Sequence, residues 1–171
     1  EADPFRWMTL LGHVRMDRQT VRLADRFSSD GDQSGGRAWT EISPSIGVSL
    51  RPVRGLTIWG NTARGWSVPS LTELRQPVSG TRFDLDPSRS NSREVGLRSE
   101  LWRGTSVELV DYHALVTGEI ARQTIGTTPY YRNISRTIHR GLEAGVGQAL
   151  PYGFGVNGSL TVSDARFDGD P

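Results

Sequence analysis

The side chains best able to do chemistry are few and scattered. His13, His113 and His139 lie far apart in the chain, and none belongs to a metal-ligand spacing. Cysteine is absent, which excludes disulfides, thiolate metal sites and cysteine nucleophiles. Ser67, Ser70 and Thr72 have no base close in sequence that could activate a hydroxyl. The run Asp164-Ala165-Arg166-Phe167-Asp168-Gly169-Asp170 resembles a calcium loop only superficially, because it lacks the spaced ligands and the closing Glu. These residues predict no catalytic group, no metal site and no cofactor.

Charge excludes another class of function. All 20 basic residues are Arg, 19 residues are acidic, and the formal net charge is +1. A nucleic-acid binder rests on clustered basic residues, so no nucleic-acid partner is expected. Arg-only usage reads mainly as genomic bias, although its planar fork also suits phosphate-rich surfaces. Hydrophobic residues make up 35% of the 171, with 20 Gly. No apolar run is long enough for a membrane-spanning helix. Glu1-Ala2-Asp3-Pro4 has no basic head or apolar stretch of a signal peptide. A β-rich soluble domain and a transmembrane barrel, in which every second strand residue meets lipid, both fit.

The elements that must position these residues are strands. From Phe5, Met8, Leu10, Val14 and Met16 alternate with Thr9, His13, Arg15 and Asp17, interrupted by Leu11. A second strand spans about 39–51, with Ile46, Val48 and Leu50 on one side. A third spans about 56–66, and a helical turn is expected within 69–74. The fourth, about 92–102, sets Val95, Leu97, Ser99 and Leu101 against Glu94, Gly96, Arg98 and Glu100. The fifth starts at Val107 and Leu109, then changes phase to Val110, Tyr112, Ala114 and Val116, which predicts a bulge near Val110. A sixth runs from about Tyr130 to Leu150, and a seventh carries Phe154, Val156, Leu160 and Val162.

The connections alternate in length. Those at about 26–38, 67–91 and 122–129 are long or medium. Pro52-Val53-Arg54-Gly55, Arg103-Gly104-Thr105 and Pro151-Tyr152-Gly153 are tight turns. Alternately short and long links describe an up-and-down meander, the layout of outer-membrane barrels. Phe5, Trp7, Tyr152 and Phe154 fall near the short turns, and Trp39, Trp66, Tyr130 and Tyr131 near the long ones, as two aromatic girdles would. The fold expected is all-β: about seven antiparallel strands of a larger transmembrane barrel, an odd number that leaves the wall incomplete.

Several words in the sequence carry a family resemblance. Ile42-Ser43-Pro44-Ser45-Ile46-Gly47-Val48 and the segment from Leu56 through Trp66-Ser67-Val68-Pro69-Ser70-Leu71-Thr72-Glu73-Leu74 resemble strand words of TonB-dependent outer-membrane receptors. Leu85-Asp86-Pro87 with Ser90, Glu94 and Gly96-Leu97-Arg98 is similar to another. So are Asn133 with His139-Arg140-Gly141-Leu142-Glu143, and Ser163-Asp164-Ala165-Arg166-Phe167. Ser88 departs from the family's usual Glu. The resemblance covers about residues 42–167. It implies that residues 1–171 are one section of a barrel wall, with the plug domain and the final aromatic-ended strand unmatched. It further implies a bacterial outer-membrane location, lipid contact, and uptake of a small ligand such as a ferric siderophore. The TonB–ExbB–ExbD complex would act through the plug, and no bond of the ligand would change.

Within that frame Arg51, Glu94, Arg98, Glu100 and Glu143 share the inward parity, either to steer a ligand or, more simply, to pair across strands and with a plug. His13 and His139 are expected inside as well. Arg140 falls on the outward parity and belongs near the outer rim, where it could meet lipid phosphates. Ligand contacts are best sought in the long loops, where Arg64, Trp66, Arg75, Arg82 and Tyr130 are the candidates. A passive porin-like barrel and a soluble β-sandwich binding module are the competing readings.

Overall fold

The computed structural model describes residues 2–26, 29, 31–76, 80–81, 83–134 and 136–168. In chain order the elements are β1 (Ala2–Phe5), β2 (Met8–Leu23), β3 (Gly35–Val53), β4 (Leu56–Ser67), α1 (Leu71–Leu74), β5 (Arg75–Gln76) and β6 (Gly80–Thr81). There follow β7 (Ser88–Trp102), β8 (Thr105–Thr117), β9 (Ile120–Ile125), β10 (Thr128–Asn133), β11 (Arg136–Ala149) and β12 (Gly155–Phe167). Eight strands form one antiparallel sheet in the order β1-β2-β3-β4-β7-β8-β11-β12. The sheet is not closed, since β1 and β12 are not neighbours. No described helix is long and apolar enough to cross a membrane, which leaves crossing by strands untouched.

Between strands of the eight-stranded sheet, all short connections lie at one end and all long ones at the other. Gly55 and Gly104 take positive φ (78° and 71°) in two of the tight turns, a conformation that costs Gly least. The long connections are folded: 68–87 contains α1 and the β5–β6 pair, and β9–β10 is a hairpin beyond the main sheet.

Three expectations need correction. The sheet has eight strands, because Arg6 and Trp7 reverse the chain and pair Phe5 with Met8. Phe5 and Trp7 stack across that reversal, centroids 5.2 Å apart, so alternation alone reads straight through it. The odd-number argument for an incomplete wall therefore fails, and the open sheet replaces it. Second, the segment from Tyr130 to Leu150 is two strands, β10 in the outer hairpin and β11 in the sheet. Third, β8 pairs without interruption from Arg89↔Thr117 to Ser99↔Val107, so there is no bulge at Val110. Val110, Tyr112, Ala114 and Val116 share the polar face, and Asp111 and His113 take the apolar one. The periodicity misleads there because polar-face hydrophobes sit opposite glycines: Leu11 on Gly47, Val110 on Gly96, Tyr112 on Gly141. Trp59 likewise lies against Gly96, where an added Cβ would come within 2.3 Å of its ring.

Directly opposed residues in an antiparallel pair point to the same face, so the register sorts the whole sheet. One face carries Met8, Leu10, Val14 and Met16, then Ile42, Ile46, Val48 and Leu50. It continues through Leu56, Ile58, Val95, Leu97, Leu109, Leu142, Val146, Leu160 and Val162. The other carries His13, Arg15, Asp17, Ser45, Asn61, Glu94, Arg98, Glu108, His139 and Glu143. On the apolar face Met16 is 70% exposed and Ile46 and Val162 are each 62% exposed. A soluble sandwich would bury such a face against a second sheet. Among the described residues only Trp39, Leu74 and Leu85 are buried hydrophobics.

The edges of the apolar band are oblique to the rungs. One rung runs from Asp164 through Arg140, His113, Arg93, Thr62 and Ile46 to Gly12. On β2 the first charged residue of this face is Arg18, six residues beyond Gly12. Six residues are about 20 Å along a strand, and six strand steps about 29 Å across. The mean slope is about 35°, all of it arising between β7 and β2, and it matches the tilt of strands in membrane barrels. The short turns slope the same way. From the rung of Met8, Leu97 and Ala144, the chain turns at once beside Met8 but six residues beyond Leu97 and Ala144. On β2 the apolar residues Met8 to Met16 cover about 22 Å after tilting, close to the apolar band of roughly 25 Å in such barrels.

Candidate functional site

The long-loop end of the polar face is built by sequence-distant residues that lock together. Ser70 and Glu73 form a capping box that opens α1. The Ser70 N–H donates to Glu73 Oε2 at 2.6 Å, and the Glu73 N–H donates to Ser70 Oγ at 3.3 Å. This turn delivers Leu74 into full burial against Trp39 and Leu85. Val21, Trp66, Val68, Phe83, Ile120 and Tyr131 pack around them, so strands β2, β3 and β4 and the β9–β10 hairpin share one small core with the 68–87 loop. Each large apolar side chain buried there stabilises by roughly 1.5–3 kcal/mol.

Polar bonds fix the loop in place. Arg37 Nη1 donates to the Phe83 and Leu85 carbonyls at 2.9 and 3.1 Å, and Nη2 reaches Asp86 Oδ1 at 2.6 Å. Its guanidinium also lies 5.4 Å from the Trp39 ring centroid. Asn133 accepts from the Asp86 N–H at 2.9 Å and donates to the Asp86 and Gly118 carbonyls at 2.8 and 2.7 Å. The neighbouring loop 24–34 has its own staple. The Asp25 N–H donates to Ser34 Oγ at 2.8 Å and the Ser34 N–H to Asp32 Oδ1 at 2.9 Å. The Ser34 hydroxyl, and then its backbone N–H, hold the Asp32 carboxyl below the usual carboxylate range.

The sequence-predicted site residues go to different places. Trp66 belongs to the buried cap. Arg64 lies on the apolar face, where its Nε donates to Asn91 Oδ1 at 3.0 Å. Tyr130 sits on the outer hairpin and donates its hydroxyl to Gln123 Oε1 at 2.5 Å. The backbone of Arg75 opens β5, but its side chain lies outside the described residues, as does all of Arg82. Sequence reasoning missed Arg37 and did not give Asn133 its clamping role. The signal was present, because Pro69, Leu74, Leu85, Asp86 and Asn133 all sit in the words that carry the family resemblance.

On the polar face, cross-strand pairing accounts for part of the charge. Arg98 meets Glu108 at 2.8 Å and Asn61 donates to Glu94 at 3.1 Å. Arg51, Glu100 and Glu143 have no ion pair among the described residues. No described group of three or more His, Asp or Glu could hold a metal ion. The arrangement offers shape, hydrogen bonds and fixed charge.

A model of the family TonB dependent receptor-like, beta-barrel, matches residues 2–171. The chain belongs to this family of TonB-dependent receptor barrels. Family members are transport receptors. Copper transporter OprC superposes on this TonB-dependent receptor barrel with a TM-score of 0.75 at 17% identity, over 94% of this chain and 27% of its own. A double mutant of the Serratia marcescens hemophore receptor HasR, in complex with hemophore HasA and heme, gives 0.71 at 22% identity, over 95% and 32%. The ferric-catecholate import receptor Fiu from E. coli K12 gives 0.72 at 18%, over 95% and 26%. At these identities the likeness establishes the fold. The chain spans about a quarter to a third of the length of these structures. No curated protein matches it by sequence.

Proposed function

We propose that the chain is a section of the wall of an outer-membrane receptor that takes up a scarce nutrient, with a ferric siderophore as the ligand class. A plug elsewhere in the full-length protein would couple uptake to the TonB–ExbB–ExbD complex. The observation that carries this reading is the family match over nearly the whole chain, together with an apolar face bounded at the slope of tilted membrane strands. The cap ties Val68, Leu74, Phe83, Leu85 and Asp86 to the long-loop ends of the strands, and the β9–β10 hairpin shares that cap through Ile120 and Tyr131. Tyr130, Arg75 and Arg82 remain our candidate ligand contacts, since Trp66 is committed to the cap and Arg64 to the outer face.

The test is uptake of two iron-55-labelled probes, a ferric catecholate and a ferric hydroxamate, by cells whose only receptor is the full-length protein. Uptake of either probe that stops when TonB is deleted supports the reading. Uptake that continues without TonB would make it a passive barrel, and no uptake of either probe would remove siderophores as the ligand class.

A further inference from the structure

The outer face carries basic residues at the level where the apolar band ends. Arg93, His113, Arg140 and Asp164 occupy one rung of β7, β8, β11 and β12. Arg64 and Arg166 lie one outward position further toward the loops, diagonal to Arg93 and Arg140. Two carboxylates share the patch. Asp164 takes the Arg140 guanidinium on both Nε and Nη2 at 3.0 Å, and Asp111 sits one outward position below. Four Arg against two Asp leave an excess of positive charge. Arg93 and Arg166 have no ion pair among the described residues, and both are exposed. These side chains point the same way as Leu97, Leu142 and Leu160, so an aqueous ligand inside the barrel cannot reach them.

We propose that Arg93, Arg140 and Arg166, with Arg64 and His113 beside them, form a binding face for a lipid headgroup carrying more than one phosphate. The inference rests on reading the chain as outer-membrane barrel wall. That reading puts this rung at the junction of acyl chains and headgroups, where a guanidinium left without a phosphate would face lipid. Planar Arg forks match phosphate oxygens bidentately. Arg93 and Arg140 are two strand spacings apart, about 10 Å. That is wider than one phosphate and suits a headgroup with two.

The full-length protein in phosphatidylcholine nanodiscs tests this by native mass spectrometry. The probes are a bisphosphorylated glucosamine-disaccharide lipid, its monophosphorylated form and inorganic phosphate. The wild type is expected to hold the bisphosphorylated lipid more tightly than the monophosphorylated form. Millimolar inorganic phosphate should not displace it, and raising salt from low to high should release it. The double variant Arg93→Gln/Arg166→Gln leaves the Arg140–Asp164 pair intact. It should bind about 25-fold more weakly, the product of roughly fivefold for each basic residue at a charged leaflet. Equal binding by this variant, salt-independent binding, or full displacement by inorganic phosphate would overturn the proposal. Heat-modifiable gel migration reports insertion separately. A wild type that inserts but ignores the lipid sinks only the phosphate face, whereas one that never inserts sinks the membrane reading too.

Discussion

Replacing Leu97 by Arg should damage the barrel far more than replacing its neighbour Arg98 by Leu. Leu97 lies four residues below Arg93, at the upper edge of the apolar band, and six above the Arg103 turn. Four residues along a strand tilted at about 35° are about 11 Å of depth, close to the middle of a band roughly 25 Å tall. Arginine at the midplane of such a barrel costs about 2–4 kcal/mol. Arg98 is on the opposite face and pairs with Glu108 at 2.8 Å, with the two side chains 56% and 39% exposed. A pair that open to solvent contributes about 0–1 kcal/mol. The two changes should therefore differ by at least about 1 kcal/mol, roughly fivefold in the folding equilibrium. Met16→Arg, placed beside Arg18 at the band's edge, should cost only about 0–1 kcal/mol because the penalty falls with depth. The assay is reversible denaturant unfolding of the full-length protein in lipid vesicles, with the three variants compared under one condition. Equal losses for Leu97→Arg and Arg98→Leu would refute the facing, and equal losses for Leu97→Arg and Met16→Arg would refute the depth.

Three further outcomes are expected. Asn133→Ala removes all three bonds that hold Asp86 and Gly118. It should cost about 1–3 kcal/mol and speed hydrogen exchange at the Asp86 amide, with unchanged exchange counting against the clamp. Gly141→Ala would put a methyl 2.5 Å from the Val162 carbonyl oxygen, which the sheet holds in place, whereas at Gly145 an added Cβ meets nothing within 4 Å. The first change should destabilise by about 1–3 kcal/mol and the second should be tolerated, and the unfolding midpoints of both variants check this. Asp32 has a depressed pKa, so its hydrogen bonds stabilise the loop above the ordinary carboxylate pKa and are lost as pH falls through the lower folded value. Ser34→Ala should raise the Asp32 pKa toward the ordinary value in a carboxyl NMR titration, and an unmoved pKa would mean that Ser34 does not set it.

Strand facing was legible in residues 42–50, 92–100 and 154–162, because a period of two sorts side chains whatever the strand pairs with. The tight turns were legible in the Pro and Gly that preset their dihedral angles. Facing in β8 was not legible. Tyr112 and Val110 look lipid-facing until the register sets them opposite Gly141 and Gly96, whose missing side chains make room for them. The helical turn at 71–74 was visible, but its purpose was not, since Leu74 finds Trp39 and Leu85 only after the loop folds back.

The sequence by itself determined that this is an alternating β chain, with short turns at one end and long loops at the other. Those properties reside in neighbouring residues and survive without any partner strand. Only the tertiary structure decided what depends on register. It supplied the reversal at Arg6 and Trp7, the slope of the apolar band and the outward row from Arg93 to Asp164. It also joined Asp86 to Arg37 and Asn133, 49 and 47 residues away in sequence. Such contacts close long stretches of chain, and no local pattern encodes them. They form where strand pairing has already met the entropy of bringing distant segments together.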